Sequence, residues 1–319
     1  VPGDTDDRSR SLGIASGLVA YLLWGLLTVY WKQLTGLNPL EVIGHRVLWA
    51  VVFCAAVVAV GRRWAGWGSL GIVDALRSPR LLCRLAVASL LLALNWTTYV
   101  WIVTRGDIIE ASLGYFIAPL FTVTIGVVVL RERLRRAQTG ALALAAVAVG
   151  VLSVGYGAVP VAALTLGGTW AVYGLLKKLV PLSAVASLTV ETLLLVPAAL
   201  VVVAVREQGS EGILDVATGT QLVLVALAGA VTAVPLLAFA AAAKRVPLTT
   251  LGPLQYLVPS INFLLGWAVY HEAVPGWRLV GFVLVWAALV VLTADGLRAA
   301  HRSRRPARDL HPASAPVGG

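Results

Sequence analysis

Few ionisable residues fall inside the apolar stretches of this chain, and those few are spaced as a solute-binding or proton-handling site would need. Glu41, His45 and Trp49 recur at i, i+4 and i+8, so a helix carries them on one face, with Arg46 beside that stripe. Counted from Pro39, Arg46 lies about 10 Å along its helix at about 1.5 Å per residue. An arginine that only snorkels to the headgroups sits nearer a helix end, without His and Trp neighbours, so Arg46 is read as functional. Glu191 is the deepest acid, about 15 Å in from Pro181 and near the middle of a ~30 Å hydrocarbon layer. A carboxylate there is either neutralised or paired with a cation. By depth, Arg46 and Glu191 come within reach of each other. Two readings stay open: a central pair that opens on binding a substrate or a proton, or a permanent ion pair joining two helices.

Other polar and aromatic side chains share faces with these. Asn95 and Tyr99 are four apart, and Gln255, Pro259 and Asn262 lie on one face next to Tyr256. Pro259 has no N–H, which frees the carbonyl of Gln255 to meet a solute. Polar glue between helices is the competing role, and it is the one expected of Asn262. Tyr21, Trp24, Trp170 and Tyr173 are expected to wall the same pathway, whereas Trp31, Trp101 and Trp277 read as anchors at the membrane interface. Pro119, Pro235 and Pro259 are expected to kink their helices, and Glu132 and Glu272 to cap or brace helix ends. No two of the four histidines have metal-ligand spacing, there is no phosphate-binding G-x4-GK[ST], and no nucleophile sits beside a base. No cofactor, no metal and no enzymatic role are therefore expected.

The elements that must carry these residues are apolar runs of membrane-spanning length. The chain is 59% hydrophobic and 13% charged, with a mean hydropathy of +0.88. A soluble domain is roughly half apolar and about a quarter charged. Ten runs are predicted, at residues 12–34, 40–61, 81–104, 109–130, 137–156, 159–179, 182–205, 220–243, 248–270 and 277–297. They lack the strict alternation of a membrane barrel. The first is long enough to span and lacks a small-residue cleavage site, so it reads as a span and not a signal peptide.

Twenty of the 25 lysines and arginines fall in alternate connections that share one side with the N-terminus, four fall on the other side, and Arg46 is inside a helix. This is the positive-inside distribution, with both termini cytoplasmic. The net charge of +10 thus reports topology and contact with anionic lipid, and nucleic acid is not an expected partner. Cys54 and Cys83 fall toward the cytoplasmic side, where no disulfide is expected.

A pattern is also written twice. Pro119, Gly126 and Glu132 follow P-x6-G-x5-E, and Pro259, Gly266 and Glu272 repeat it. Trp24 and Lys32 have the separation of Trp170 and Lys178. An odd number of spans per copy inverts the second copy, so the fold class is an all-α integral membrane protein of ten transmembrane helices in two inverted five-helix repeats. The repeats are placed at residues 1–157 and 158–300, followed by a disordered cytoplasmic tail at 301–319.

YLLWGLLTVYWK (Tyr21–Lys32), EVIGHRVLW (Glu41–Trp49), NWTTYVWIV (Asn95–Val103) and EASLGYFIAP (Glu110–Pro119) resemble signatures of RarD-type proteins. So do VET (Val190–Thr192), TAVPLLAFAAAA (Thr232–Ala243) and LGPLQYLVP (Leu251–Pro259). These proteins belong to the EamA branch of the drug/metabolite transporter superfamily. The resemblance runs in order from about Leu12 to Leu297. It implies ten helices in two inverted repeats, a central cavity, and export or exchange of small metabolites or drugs. Thr28 stands where the pattern has a proline, Ala118 where it has asparagine, and Arg131 where it has glycine.

The expectation is a secondary-active transporter of the bacterial inner membrane, working by alternating access on metabolites, amino acids or drug-like compounds. Its partners would be a small-molecule substrate, protons and membrane lipids. The alternative is an intramembrane enzyme acting on a lipid or isoprenoid, which needs a cluster of acids or histidines at one interface, and none is expected. A channel would need polar stripes along the full length of several helices.

Overall fold

In the computed structural model, which describes residues 2–64, 71–104, 108–156, 161–269, 271 and 276–303, the described residues contain helices and no strand. The chain runs through α1 (Pro2–Lys32), α2 (Pro39–Trp64), α3 (Ile72–Arg77), α4 (Pro79–Thr104), α5 (Ile108–Val128) and α6 (Arg136–Tyr156). It continues through α7 (Val161–Leu179), α8 (Ala184–Glu207), α9 (Ile213–Val216), α10 (Gly219–Arg245), α11 (Leu248–Leu254), α12 (Leu257–Leu264) and α13 (Gly276–Ser303).

Local chemistry sets the starts. Pro39 and Pro79 open α2 and α4, where a missing N–H costs nothing. Asn38 Oδ1 accepts from the amides of Leu40 and Glu41. Ser183 caps α8 through the Ala186 amide, and Thr218 with Gln221 forms a capping box at α10.

Six helices (α1, α2, α4, α6, α8 and α10) have segments long and apolar enough to cross a bilayer, and shorter apolar segments lie in α5 and α13. Their outer faces are apolar too: Leu90, Val128 and Val154 are 66%, 70% and 82% exposed. Helices that are apolar on the outside as well as at their contacts are helices in lipid.

The expected continuous ninth run instead breaks into α11, α12 and a π-helical turn at Leu265–Val269. Pro253 and Pro259 withdraw two donors, and the backbone tightens around them. The amides of Gln255, Tyr256 and Val258 bond three residues back, to Gly252, Pro253 and Gln255. The Gln255 carbonyl is therefore taken by Val258 at 3.1 Å and is not left free for a solute.

At the bundle's basic end the chain reverses after α5. Arg131 takes φ +55°, a left-handed conformation that explains a glycine at this place in related patterns. His271 takes φ +52° at the matching place before Glu272, which itself lies outside the described residues.

The helices interlock by fixed partners: α1 with α10, α4 with α7, α2 with α8, α6 with α13, α5 with α7, and α1 with α12. The main core gathers Tyr21, Trp96, Tyr173, Leu236, Phe239 and Leu251 from α1, α4, α7, α10 and α11. Where α10 crosses α2, the Gly229 Cα sits against the backbone of Trp49 and Ala50 with no room for a Cβ.

Candidate functional site

Two charged centres occupy different depths of the bundle. In the first, Arg46 on α2 lies between two indoles, its guanidinium carbon 3.9 Å from the Trp96 ring centre and 5.0 Å from that of Trp31. Such stacking is worth about 1–2 kcal/mol where water is scarce. The phenols of Tyr30, Tyr99 and Tyr115 lie within electrostatic range of the guanidinium. Among the described residues its buried Nε has no hydrogen-bond partner and no carboxylate pairs with it.

The second centre is on α7 and α8. Glu191 Oε1 accepts from Lys177 Nζ at 2.8 Å and from Ser187 Oγ at 2.7 Å, and Oε2 accepts from the Tyr173 hydroxyl at 3.1 Å. Lys177 Nζ also donates to Ser187 Oγ at 2.7 Å. Both charged side chains are shut away, 1% and 0% exposed. Ser89 on α4 donates to the Glu191 carbonyl at 3.0 Å, drawing a third helix onto the same point.

The expected Arg46–Glu191 pair is thus corrected. α8 begins at Ala184, so Glu191 lies roughly 10 Å from the basic end, while Arg46 lies roughly 10 Å from the opposite end. In a ~30 Å layer that leaves about 10 Å between them. Lys177, counted in the sequence as a cytoplasmic loop charge, is the true partner. Its long stem runs inward from the last turn of α7. The signal for it was present: Tyr173 and Lys177, like Ser187 and Glu191, are four apart on one helix.

Between the centres lies an aromatic cluster. Trp24 and Trp170 meet edge to face at 5.0 Å, Tyr21 packs on Trp24 at 5.6 Å, and Tyr173 on Trp170 at 5.5 Å. Phe239 of α10, absent from the expected set, touches all four.

The other expected residues divide. Tyr99 packs against Tyr115 at 6.1 Å beside Arg46. Asn95 is spent on structure, its amide donating to the Leu166 carbonyl and Thr169 Oγ1, each at 2.9 Å. Gln255 donates to Thr122 Oγ1 at 2.8 Å and is buried. Thr28 donates to Asn262 at 2.7 Å, which ties α1 to α12. Tyr256 is buried against Phe116, and its hydroxyl has no partner among the described residues. Trp49 is 39% exposed and joins neither centre. Trp31, read as an interface anchor, belongs to the Arg46 site instead, because the last turn of α1 packs inward. A cavity between α5, α6 and α11, walled by Val123, Leu142, Ala145 and Pro253, is apolar and meets the expected set only at Pro119 and Tyr256.

His45 and Glu41 face the end of α8. His45 Nε2 is 3.7 Å from Glu207 and 4.0 Å from Glu41. Glu132, just after α5, holds the start of α11: its oxygens accept from the amides of Leu248 at 3.0 Å and Thr249 at 2.9 Å. Gly126 is open because the Glu132 carboxylate folds back over it. Lys178 and Lys244 donate to the carbonyls of Val246 and Val180, lacing the basic ends of α7 and α10 together. Pro119 and Pro235 lie within α5 and α10.

Residues 11–154 match the EamA-like transporter family. Protein RarD of Streptomyces exfoliatus is 44% identical over 299 residues, covering 93% of each chain. This chain belongs to the RarD-type EamA transporters. An uncharacterized transporter of Vibrio cholerae is 38% identical over 94% of this chain and 98% of its own. A crystal structure 21% identical, covering 91% of this chain and 99% of its own, superimposes with a TM-score of 0.64 and shares the fold. The protein is accordingly a multi-pass membrane transporter of the drug/metabolite type.

Proposed function

We propose that this RarD-type chain is a secondary-active exporter of small organic solutes that carry a negative group, such as amino acids or organic acids, and that Arg46 is the residue that receives that group. The observation that carries the reading is the guanidinium between Trp31 and Trp96, whose buried Nε has no hydrogen-bond partner and which meets no carboxylate among the described residues. A buried cation without an anion is costly, and a carboxylate arriving from solution relieves the cost with paired, charge-assisted hydrogen bonds. The indoles and the tyrosines beside it suit the apolar body of an amphipathic solute.

Alternating access by two inverted five-helix repeats is supported by the packing. Among the described residues, exchanging α1 with α7, α2 with α8, α4 with α10, α5 with α11 and α12, and α6 with α13 carries most of the extensive helix contacts onto one another, with α5–α6 and α7–α10 as exceptions. The exchange also carries the Trp49–Gly229 contact onto the Glu191–Ser89 contact. The repeats would span residues 1–157 and 158–300, with both termini cytoplasmic as the basic residues suggest. Glu191, enclosed and fully bonded, serves in this reading as a brace of the second repeat.

Reconstituted vesicles loaded with labelled amino acids and organic acids, with and without a pH gradient, test the proposal. At least one anionic solute should be exchanged by the wild type. Arg46→Gln should abolish that exchange, and Arg46→Lys should keep part of it. Equal exchange by wild type and Arg46→Gln would remove the anion-receiving role. Turnover of a lipid or isoprenoid with no solute movement would favour the enzymatic alternative.

A further inference from the structure

Where α2 begins and α8 ends, two carboxylates and an imidazole from distant parts of the chain converge at the end of the bundle opposite Arg62 and Arg63. One ligand-capable atom each of Glu41, His45 and Glu207 lies within 4.8 Å of the others. Glu41 is wholly buried. Its Oε1 accepts from the Ile213 amide at 2.9 Å, while its Oε2 and His45 Nε2 are buried with no hydrogen-bond partner among the described residues. Two carboxylates beside an imidazole with unused acceptor atoms are a site that lacks a cation. Arg206 supplies little of it. Its Nε is 4.0 Å from Glu41 Oε2, too far for a hydrogen bond, and its side chain is 35% exposed.

We propose that Glu41, His45 and Glu207 bind a divalent transition-metal ion of the Zn2+ class. One imidazole nitrogen and two carboxylate oxygens are ligands that suit Zn2+, whereas Mg2+ and Ca2+ favour all-oxygen shells. Ligand atoms about 2.0–2.2 Å from a tetrahedral ion stand roughly 3.3 Å apart. The separations from His45 Nε2, 3.7 Å to Glu207 Oε1 and 4.0 Å to Glu41 Oε1, need contract by about 0.4 and 0.7 Å. Arg206 turns outward as the ion enters, which its exposure permits. The ion joins α2 to α8, one helix from each half of the chain, at the rim facing away from the basic end. This site is separate from Arg46 and does not depend on the transport reading.

The test uses tag-free, full-length protein in lipid nanodiscs, stripped with chelator and titrated with ZnCl2 or MgCl2 by calorimetry. One Zn2+ per chain should bind and Mg2+ should not compete. His45→Gln and Glu207→Gln should each weaken Zn2+ binding by about tenfold or more. Arg206→Ala should tighten it by removing a competing cation. In the wild type, Zn2+ should also protect His45 from carbethoxylation, read by mass spectrometry, which needs no variant to fold. Absence of saturable Zn2+ binding, an affinity indifferent to both ligand substitutions, a weaker site in Arg206→Ala, or no protection of His45 would each overturn the assignment.

Discussion

At the scale of single residues, two buried charges near opposite ends of the bundle have different surroundings. Glu191 has three donors and no exposure, so its charge is satisfied inside the protein. Among the described residues Arg46 meets ring faces and no carboxylate, and in the proposed function an incoming solute supplies its counter-charge. Breaking the first centre should therefore damage stability before function. Glu191→Gln leaves the Lys177 ammonium enclosed without a counter-charge and should cost about 3–5 kcal/mol. Adding Lys177→Met to that variant should recover a large part of the loss, because the stranded charge is gone. Thermal unfolding of the two singles and the double measures this coupling, and additive losses would show that the pair is not what holds α7 to α8. Arg131 poses a smaller question. An L-residue at φ +55° costs about 1–2 kcal/mol that glycine avoids, partly offset by the greater freedom of an unfolded glycine. Arg131→Gly should raise the melting temperature; a lower one would mean that the side chain holds the turn.

At the scale of elements, close crossings and end caps fix how the helices seat. Gly229 is the tightest of these, since its Cα meets the α2 backbone and not a side chain that could move. Gly229→Ala should destabilise by about 1–3 kcal/mol, the cost of overpacking. Gly140, on α6, has nothing within 4 Å of where a Cβ would go. Gly140→Ala should be neutral or gain up to about 1 kcal/mol of helix propensity. Melting curves of both variants separate packing from propensity, and equal shifts would contradict the α2–α10 contact. Glu132 explains the first copy of the P-x6-G-x5-E motif at the same scale. The proline sits within the helix, the glycine makes room for the carboxylate, and the carboxylate caps a helix from the other half of the chain.

At the scale of the whole molecule, most of the extensive helix contacts map onto one another under the proposed exchange of halves, but the chemistry does not. Trp31 and Lys177 are as far apart in the chain as Trp24 and Trp170, so the halves put an indole and an ammonium at matching places. One half is thus equipped to stack on a cation and the other to form an ion pair. In the proposed function this asymmetry lets a duplicated frame hold a solute on one side of its axis and a brace on the other. The orientation that follows from the basic residues is open to test. With Cys54 and Cys83 replaced, a cysteine at Arg62 should react with impermeant maleimide only from the cytoplasmic side, and one at Thr35 only from outside. Reaction of both from the same side would refute the topology.

The sequence by itself determined what length, hydropathy and local spacing encode: a membrane protein of helical spans, its family, and its basic end. It also singled out Arg46, Glu191 and the four aromatics Tyr21, Trp24, Trp170 and Tyr173, which lie in the two charged centres and the aromatic cluster. The partners of those residues were decided only by the tertiary structure. Depth along a helix is legible to about a turn, but a pairing needs the rotation of each helix and its exact start. A three-residue shift in where α8 begins moved Glu191 away from Arg46 and onto Lys177. Phe239 and Glu207 belong to sites assembled from helices far apart in the chain, and no spacing along one helix records such a meeting.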